Sequence, residues 1–174
     1  MNRRLAQGFQ GISQPVAAAS VTAVIALGSN LGDRGALLDE AAADLSRLPL
    51  TTNVRVAPVM ETVAVRPDGP DPDAPRYLNT VALVDTRLAP SVLLEFLHRI
   101  EADHGRRRRE RWGDRTLDLD LIAHGDVRSE TATLTLPHPR AAERDFVLRP
   151  WLALDADAVL PGVGRVADLV EVLP

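Results

Sequence analysis

Residues Arg115-Thr116-Leu117-Asp118-Leu119-Asp120-Leu121 constrain this chain more than any other stretch. An apolar run interrupted at every second position by a carboxylate suits a strand, not a helix. Alternation then puts Asp118 and Asp120 on one face and Leu117, Leu119 and Leu121 on the other. The leucine face must be covered by a core. The two aspartates repel each other and need a counter-charge, which a divalent cation supplies most simply, since Mg²⁺ is usually held by one or two carboxylates together with substrate phosphates. Just upstream stand Arg106, Arg107, Arg108, Arg109, Arg111 and Arg115, cations suited to phosphate oxygens. Carboxylates for a metal beside arginines for phosphates are the parts that phosphoryl chemistry requires, because its transition state is stabilised by position and charge.

Each half of this constellation has a plainer explanation. Asp118 and Asp120 alone could be a solvated strand face or partners in structural ion pairs, and a basic run is usually a solvated loop. The run 105–115 could also bind RNA with Trp112 as a stacking platform. Against RNA stand a net charge of -4 over 174 residues and the lack of a second basic, aromatic patch. With aromatics at 3%, any stacking site has few residues to draw on. The absence of cysteine excludes disulfides, zinc thiolate sites and cysteine nucleophiles, and suits a reducing cytoplasm. The longest apolar runs are far too short to span a bilayer. Residues 1–20 carry Arg3 and Arg4, no acid and no continuous apolar core, so a disordered extension is expected there, with one domain over 21–174.

Periodicity orders the rest. Val21–Leu27 reads as a buried strand, with Gly28–Asp33 as a turn. Leu37, Leu38, Ala41, Leu45 and Leu48 recur at helical spacing up to Pro49. Asn53–Val59 alternates as a strand, Val65–Pro75 is rich in proline and aspartate and is expected to be an irregular loop, and Tyr77–Asp85 is a further strand with Tyr77, Asn79, Val81 and Leu83 on one face. Pro90 opens a helix with Leu93, Phe96, Leu97 and Ile100 as its buried stripe, and Gly105 ends it. After the aspartate strand come Leu134–Leu136, the Pro137-His138-Pro139-Arg140 run, an apolar Phe146–Leu154, a turn at Pro161–Gly164 and a final helix over Val166–Leu173. The order β-α-β-β-α-β predicts an α+β, ferredoxin-like core with helices packed on a largely antiparallel sheet. The Gly28–Gly32 segment is neither a Walker loop nor a dinucleotide fingerprint. No serine–histidine–aspartate triad can be argued from the spacings of the four histidines.

Four ordered segments carry a resemblance: Ala26-Leu27-Gly28-Ser29-Asn30-Leu31-Gly32, Tyr77-Leu78-Asn79, Arg111-Trp112-Gly113-Asp114-Arg115-Thr116-Leu117-Asp118-Leu119-Asp120 and Leu136-Pro137-His138-Pro139. Together they resemble the 6-hydroxymethyl-7,8-dihydropterin pyrophosphokinases of folate biosynthesis, from about Val21 to Pro161. The resemblance implies transfer of the β,γ-diphosphoryl unit of ATP to the pterin hydroxymethyl oxygen, with release of AMP. It implies two Mg²⁺ ions on Asp118 and Asp120, and loop arginines Arg106 and Arg115 on the phosphates, with Arg108 and Arg109 nearby. Tyr77 and Phe146 match the aromatic pair around the pterin, Asn79 the carboxamide on its edge, Thr62 a residue that reads the ring through its backbone, and Val63 and Val65 the pocket lining. On the ATP side the matches are His138 and Arg144, with Glu101, Trp112, Leu121 and Thr135 nearby. The chain departs from the family pattern at Thr133, where some members have an arginine; at Val63, often a proline; and in an arginine loop one residue shorter than in some relatives. By resemblance the expected protein is a stand-alone cytoplasmic monomer that binds neither nucleic acid nor membrane. Two rivals remain open: an RNA-binding module, whose affinity would not need Mg²⁺, and a kinase moving one phosphoryl group, which would release ADP.

Overall fold

The computed structural model describes residues 19–66, 69–105 and 116–173. The arginine loop, with Arg106, Arg108, Arg109, Trp112 and Arg115, lies outside the described residues, as does the expected extension up to residue 18. The sheet is built from β1 (Val21–Ser29), β2 (Thr51–Val56), β3 (Met60–Thr62), β6 (Tyr77–Thr86) and β7 (Asp118–His124), with a hairpin of β4 (Ala64–Arg66) and β5 (Gly69–Asp71) inserted before β6. Strand order is β2-β6-β1-β7, with β3 also pairing β6, and every pairing is antiparallel. This is the arrangement expected of a ferredoxin-like core.

Two helices cover one face. In α1 (Arg34–Ser46) Asp33 caps the first turn by accepting from the Ala36 N–H at 3.1 Å, and Leu38, Ala41 and Leu45 face the sheet. In α2 (Pro90–Asp103) Pro90 occupies the first turn, and Leu93, Leu97 and Ile100 are buried. Gly105, at φ +80°, takes the left-handed conformation that stops the helix. Leu117, Leu119 and Leu121 join Ile25, Leu27, Ala82 and Val84 in this core. The expected leucine face of the aspartate strand is therefore the face under α1 and α2.

The opposite face is only partly covered. After the two-residue strands β8 (Ser129–Glu130) and β9 (Thr135–Leu136), the apolar 146–154 segment forms α3 (Asp145–Leu154). Its Val147, Leu148 and Trp151 pack on Val24, Val81, Leu83 and Ile122. A last hairpin, β10 (Val159–Leu160) with β11 (Gly164–Arg165), leads into α4 (Val166–Glu171), slightly shorter than expected. Because α3 starts only at Asp145, it leaves one end of this face open.

Three expectations need correction. First, the expected Asn53–Val59 strand runs from Thr51 and ends at Val56, and residues 57–59 link it to the separate strand β3. Pro58 has no N–H to donate, and the pairing with β6 breaks there before resuming as β3. Second, the expected loop Val65–Pro75 contains the β4–β5 hairpin, with Ala64 opposite Asp71 and Arg66 opposite Gly69. Gly69, at φ +119°, supplies a backbone state that β-branched or bulky residues avoid. Third, β1 runs through Gly28 to Ser29, so Gly28 belongs to the sheet.

Leu97 is fully buried between α2 and the sheet. Leu97→Ala should therefore cost about 2–5 kcal/mol, read as a lower urea midpoint at unchanged slope. A loss below about 0.5 kcal/mol would show that α2 is not seated as described.

Candidate active site

The register of three strands builds the site. Gly28 of β1 lies opposite Asp118 of β7 on one side and opposite Asn79 of β6 on the other, and Asn79 lies opposite Met60 of β3. Directly paired residues point to the same face. One transverse row of the sheet thus reads Asp118, Gly28, Asn79, Met60, and the next reads Asp120, Ala26, Val81. Between the carboxylate and the carboxamide stands the residue with no side chain. A Cβ at Gly28 would sit 3.1 Å from Asn79 Oδ1 and 3.9 Å from Tyr77 Cδ1, so the glycine makes a flat floor.

Above this floor is a cavity of about 560 Å³, large enough for a small-molecule ligand. Its apolar side holds Tyr77, Phe146, Met60 and Val63, and its polar side holds Asp118, Asp120, Arg140 and Arg144. Asn79 is buried and donates through Nδ2 to Thr62 Oγ1 at 2.8 Å. That bond orients the carboxamide. Glu61, Glu143 and Asp145 also line it.

Arg144 ties the two sides together. It donates to Asp120 Oδ2 at 2.9 Å, and its guanidinium carbon is 5.6 Å from the centroid of the Phe146 ring. His138 is presented by a turn whose backbone N–H donates to the Ile122 carbonyl at 2.8 Å. Its Nδ1 accepts from the Arg140 N–H at 3.2 Å, which leaves the proton of the neutral ring on Nε2, 3.9 Å from Asp120 Oδ2. The His138 pKa is lowered from 6.5, first by burial, with Asp120 pulling it up and Arg144 and Arg140 pushing it down.

Among the expected site residues, the structure brings Thr62, Val63, Tyr77, Asn79, Asp118, Asp120, Arg144 and Phe146 into one cavity, with His138 beside Asp120. Val65 belongs to β4, and its side chain lies outside the described part of the structure. Glu101, Leu121 and Thr135 do not line the cavity. Glu101 is 2% exposed and accepts the Leu119 N–H at 2.8 Å, which secures the backbone of β7 between the two aspartates. Leu121 belongs to the core under α1 and α2, and Thr135 is exposed on β9. The sequence motifs do not single out Gly28 as floor, or Met60, Glu61 and Arg140 as lining. A glycine inside an apolar strand is a signal of close backbone approach and could have found the first.

Two hard oxygen donors on adjacent sheet rows, facing a cavity with arginines on its wall, fit a magnesium–phosphate complex. Among the described residues there is no group of three or more histidine, cysteine, aspartate or glutamate side chains placed to hold a metal. The donor set therefore fits an ion that takes its other ligands from substrate oxygens and water. Also among the described residues, no helix is long and apolar enough to cross a membrane.

A family model described as 7,8-dihydro-6-hydroxymethylpterin-pyrophosphokinase matches residues 24–156. The 2-amino-4-hydroxy-6-hydroxymethyldihydropteridine pyrophosphokinase of Haemophilus influenzae is 39% identical over 151 residues, covering 87% of this chain and 92% of that protein. Its Pseudomonas aeruginosa counterpart is 40% identical over 150 residues, covering 86% and 90%, and that of Bacillus subtilis is 42% identical over 128 residues, covering 74% of each. Among solved structures, the Plasmodium falciparum HPPK-DHPS wild type with pteroate matches with a TM-score of 0.62 over 87% of this chain at 13% identity. This chain spans 42% of that one, and at such identity the likeness bears on the fold alone.

Followed by NMR, His138 should titrate below 6.5. Asp120→Asn removes a charge that favours the imidazolium, so the midpoint should fall further. An upward shift in that variant would contradict the described contact.

Proposed function

This chain belongs to the 7,8-dihydro-6-hydroxymethylpterin-pyrophosphokinase family, and from that premise and the cavity's geometry we propose how its pyrophosphoryl transfer in folate biosynthesis is carried out. The acceptor is 6-hydroxymethyl-7,8-dihydropterin and the donor is ATP. The pterin ring stacks between Tyr77 and Phe146, and Asn79, held by Thr62, hydrogen-bonds its polar edge. Buried groups of this kind penalise a ring that cannot match them. Thr62 and Val63 read the ring at the mouth of the β4–β5 insertion, with Val65 close by.

The triphosphate lies over Asp118 and Asp120, which hold Mg²⁺, two ions in this reading. Bound there, Mg²⁺ screens the phosphate charge and makes the acceptor hydroxyl easier to ionise. Arg144 and His138 contact the nucleotide from the wall formed by the 138–144 turn, where Arg144 already stands against Asp120. Arg106 and Arg115 act on the phosphates, with Arg108, Arg109 and Trp112 beside the nucleotide and Thr135 bordering it. Glu101 and Leu121 serve by holding β7 in place. The hydroxymethyl oxygen forms a bond to the β-phosphorus while the bridging oxygen leaves with its electron pair on AMP. The hydroxyl proton goes to solvent, and no protein base is assigned. The chain acts as a cytoplasmic monomer with 21–174 as the catalytic domain, on small molecules and without nucleic acid or membrane.

One observation carries this reading. The register of β3, β6, β1 and β7 sets two carboxylates, an oriented carboxamide and a tyrosine over one glycine floor, with Phe146 facing them from the start of α3. Incubation with ATP, Mg²⁺ and the reduced pterin alcohol should yield AMP and the pterin diphosphate. ADP as the nucleotide product would support single phosphoryl transfer instead. Asp118→Ala and Asp120→Ala should each lower turnover by roughly two to three orders of magnitude or more. Turnover within a few-fold of the parent would remove these residues from the metal-binding role.

A further inference from the structure

Arg34 stands in the first turn of α1, where a cation opposes the helix dipole. Stability of α1 therefore does not account for it. Its guanidinium NH1 donates to Glu61 Oε1 at 3.0 Å and to the backbone carbonyl of Arg76 at 2.7 Å. Glu61 and Arg76 stand at the two ends of the excursion that carries the β4–β5 hairpin, where the chain leaves the sheet after β3 and re-enters it at β6. One guanidinium thus spans the neck of that excursion. The Arg76 side chain adds a weaker contact to Glu61 Oε2 at 4.0 Å. Asn30, which is buried, also donates to the Pro75 carbonyl at 3.4 Å.

What the neck holds is the pterin side of the cavity. Glu61 is the middle residue of β3, and its neighbour Thr62 pairs with Tyr77, the residue after Arg76. β3 has three residues and a single partner strand, so few ladder bonds secure it. An exposed ion pair alone is weak, but here the same group also donates to a main-chain carbonyl, which ties both strand ends to the rigid start of a capped helix.

We propose that Arg34 is a positioning residue for the pterin pocket, holding Thr62 and Tyr77 at their ring-binding separation through Glu61 and the Arg76 carbonyl. The proposal rests on the cavity being the pterin site. Arg34 itself does not line the cavity.

Steady-state kinetics with both substrates, together with direct pterin binding and thermal unfolding, test this on the full chain. Arg34→Ala should raise the pterin KM about three- to tenfold, with ATP KM and kcat within about twofold and the unfolding midpoint nearly unchanged. Glu61→Gln keeps an acceptor but loses the charge and should give a smaller rise in the same parameter. Arg34→Lys, which reaches fewer acceptors at once, should fall between Arg34→Ala and the parent. An unchanged pterin KM in Arg34→Ala overturns the proposal. So does a parallel rise in both KM values with a lower midpoint, which marks a general structural role. If Arg34→Ala does not fold, Arg34→Lys decides on the same readout, an unchanged pterin KM overturning the proposal. Failure of the parent protein to bind the pterin at all would instead sink the reading of the cavity.

Discussion

The structure depends on the register of one antiparallel ladder. Shifting a strand by one residue turns every side chain to the other face. In β7 that slip would bury Asp118 and Asp120 under α1 and α2 and expose Leu119 and Leu121. The cost of burying two unpaired carboxylates is far larger than any local gain. The alternation of leucine and aspartate therefore fixes which face is core and which is site. Pairing with β1 then brings Asp118 beside Gly28, and pairing of β1 with β6 brings Gly28 beside Asn79. The carboxylate side and the aromatic side of the cavity are linked by hydrogen bonds running directly across the sheet.

Division of labour between the two faces follows. Under α1 and α2 the sheet is apolar and close-packed, which makes it a rigid base. On the other face α3 covers only the far half, and the 138–144 turn delivers His138, Arg140 and Arg144 to the uncovered half. Arg144 joins the two chemistries of the site, with its charge on Asp120 and its plane near Phe146. Glu101 works from the opposite side, through the Leu119 N–H, to secure the strand segment between the two aspartates.

Much of this was legible in the sequence because it rests on short-range periodicity. Alternation in 117–121 and 77–85 gave the correct faces, and the leucine spacing with Pro90 and Gly105 gave α2 and its ends. The fold class came from the order of the elements and matches the observed sheet, while Thr62, Tyr77, Asn79, Asp118, Asp120, Arg144 and Phe146, named through the family resemblance, line one cavity. What stayed hidden is set by pairing between distant segments. The role of Gly28 depends on the side chain of Asn79 across the sheet. The hairpin within 64–71 looked irregular because proline and aspartate disfavour strands, yet two short segments pair there, with Gly69 opposite Arg66. Glu101 lies in a helix whose apolar stripe says nothing of the backbone N–H it meets on β7. The contacts of Arg34 reach residues far along the chain that no local pattern connects.

The most direct test of the central claim is a crystal structure with Mg²⁺, the reduced pterin alcohol and an ATP analogue whose α,β-bridging oxygen is replaced by carbon. The account predicts Mg²⁺ within about 2.0–2.1 Å of carboxylate oxygens of Asp118 and Asp120, the β-phosphorus facing the hydroxymethyl oxygen, and the ring between Tyr77 and Phe146. A cation bound away from both aspartates, or a pterin seated outside the Gly28 floor, would contradict it.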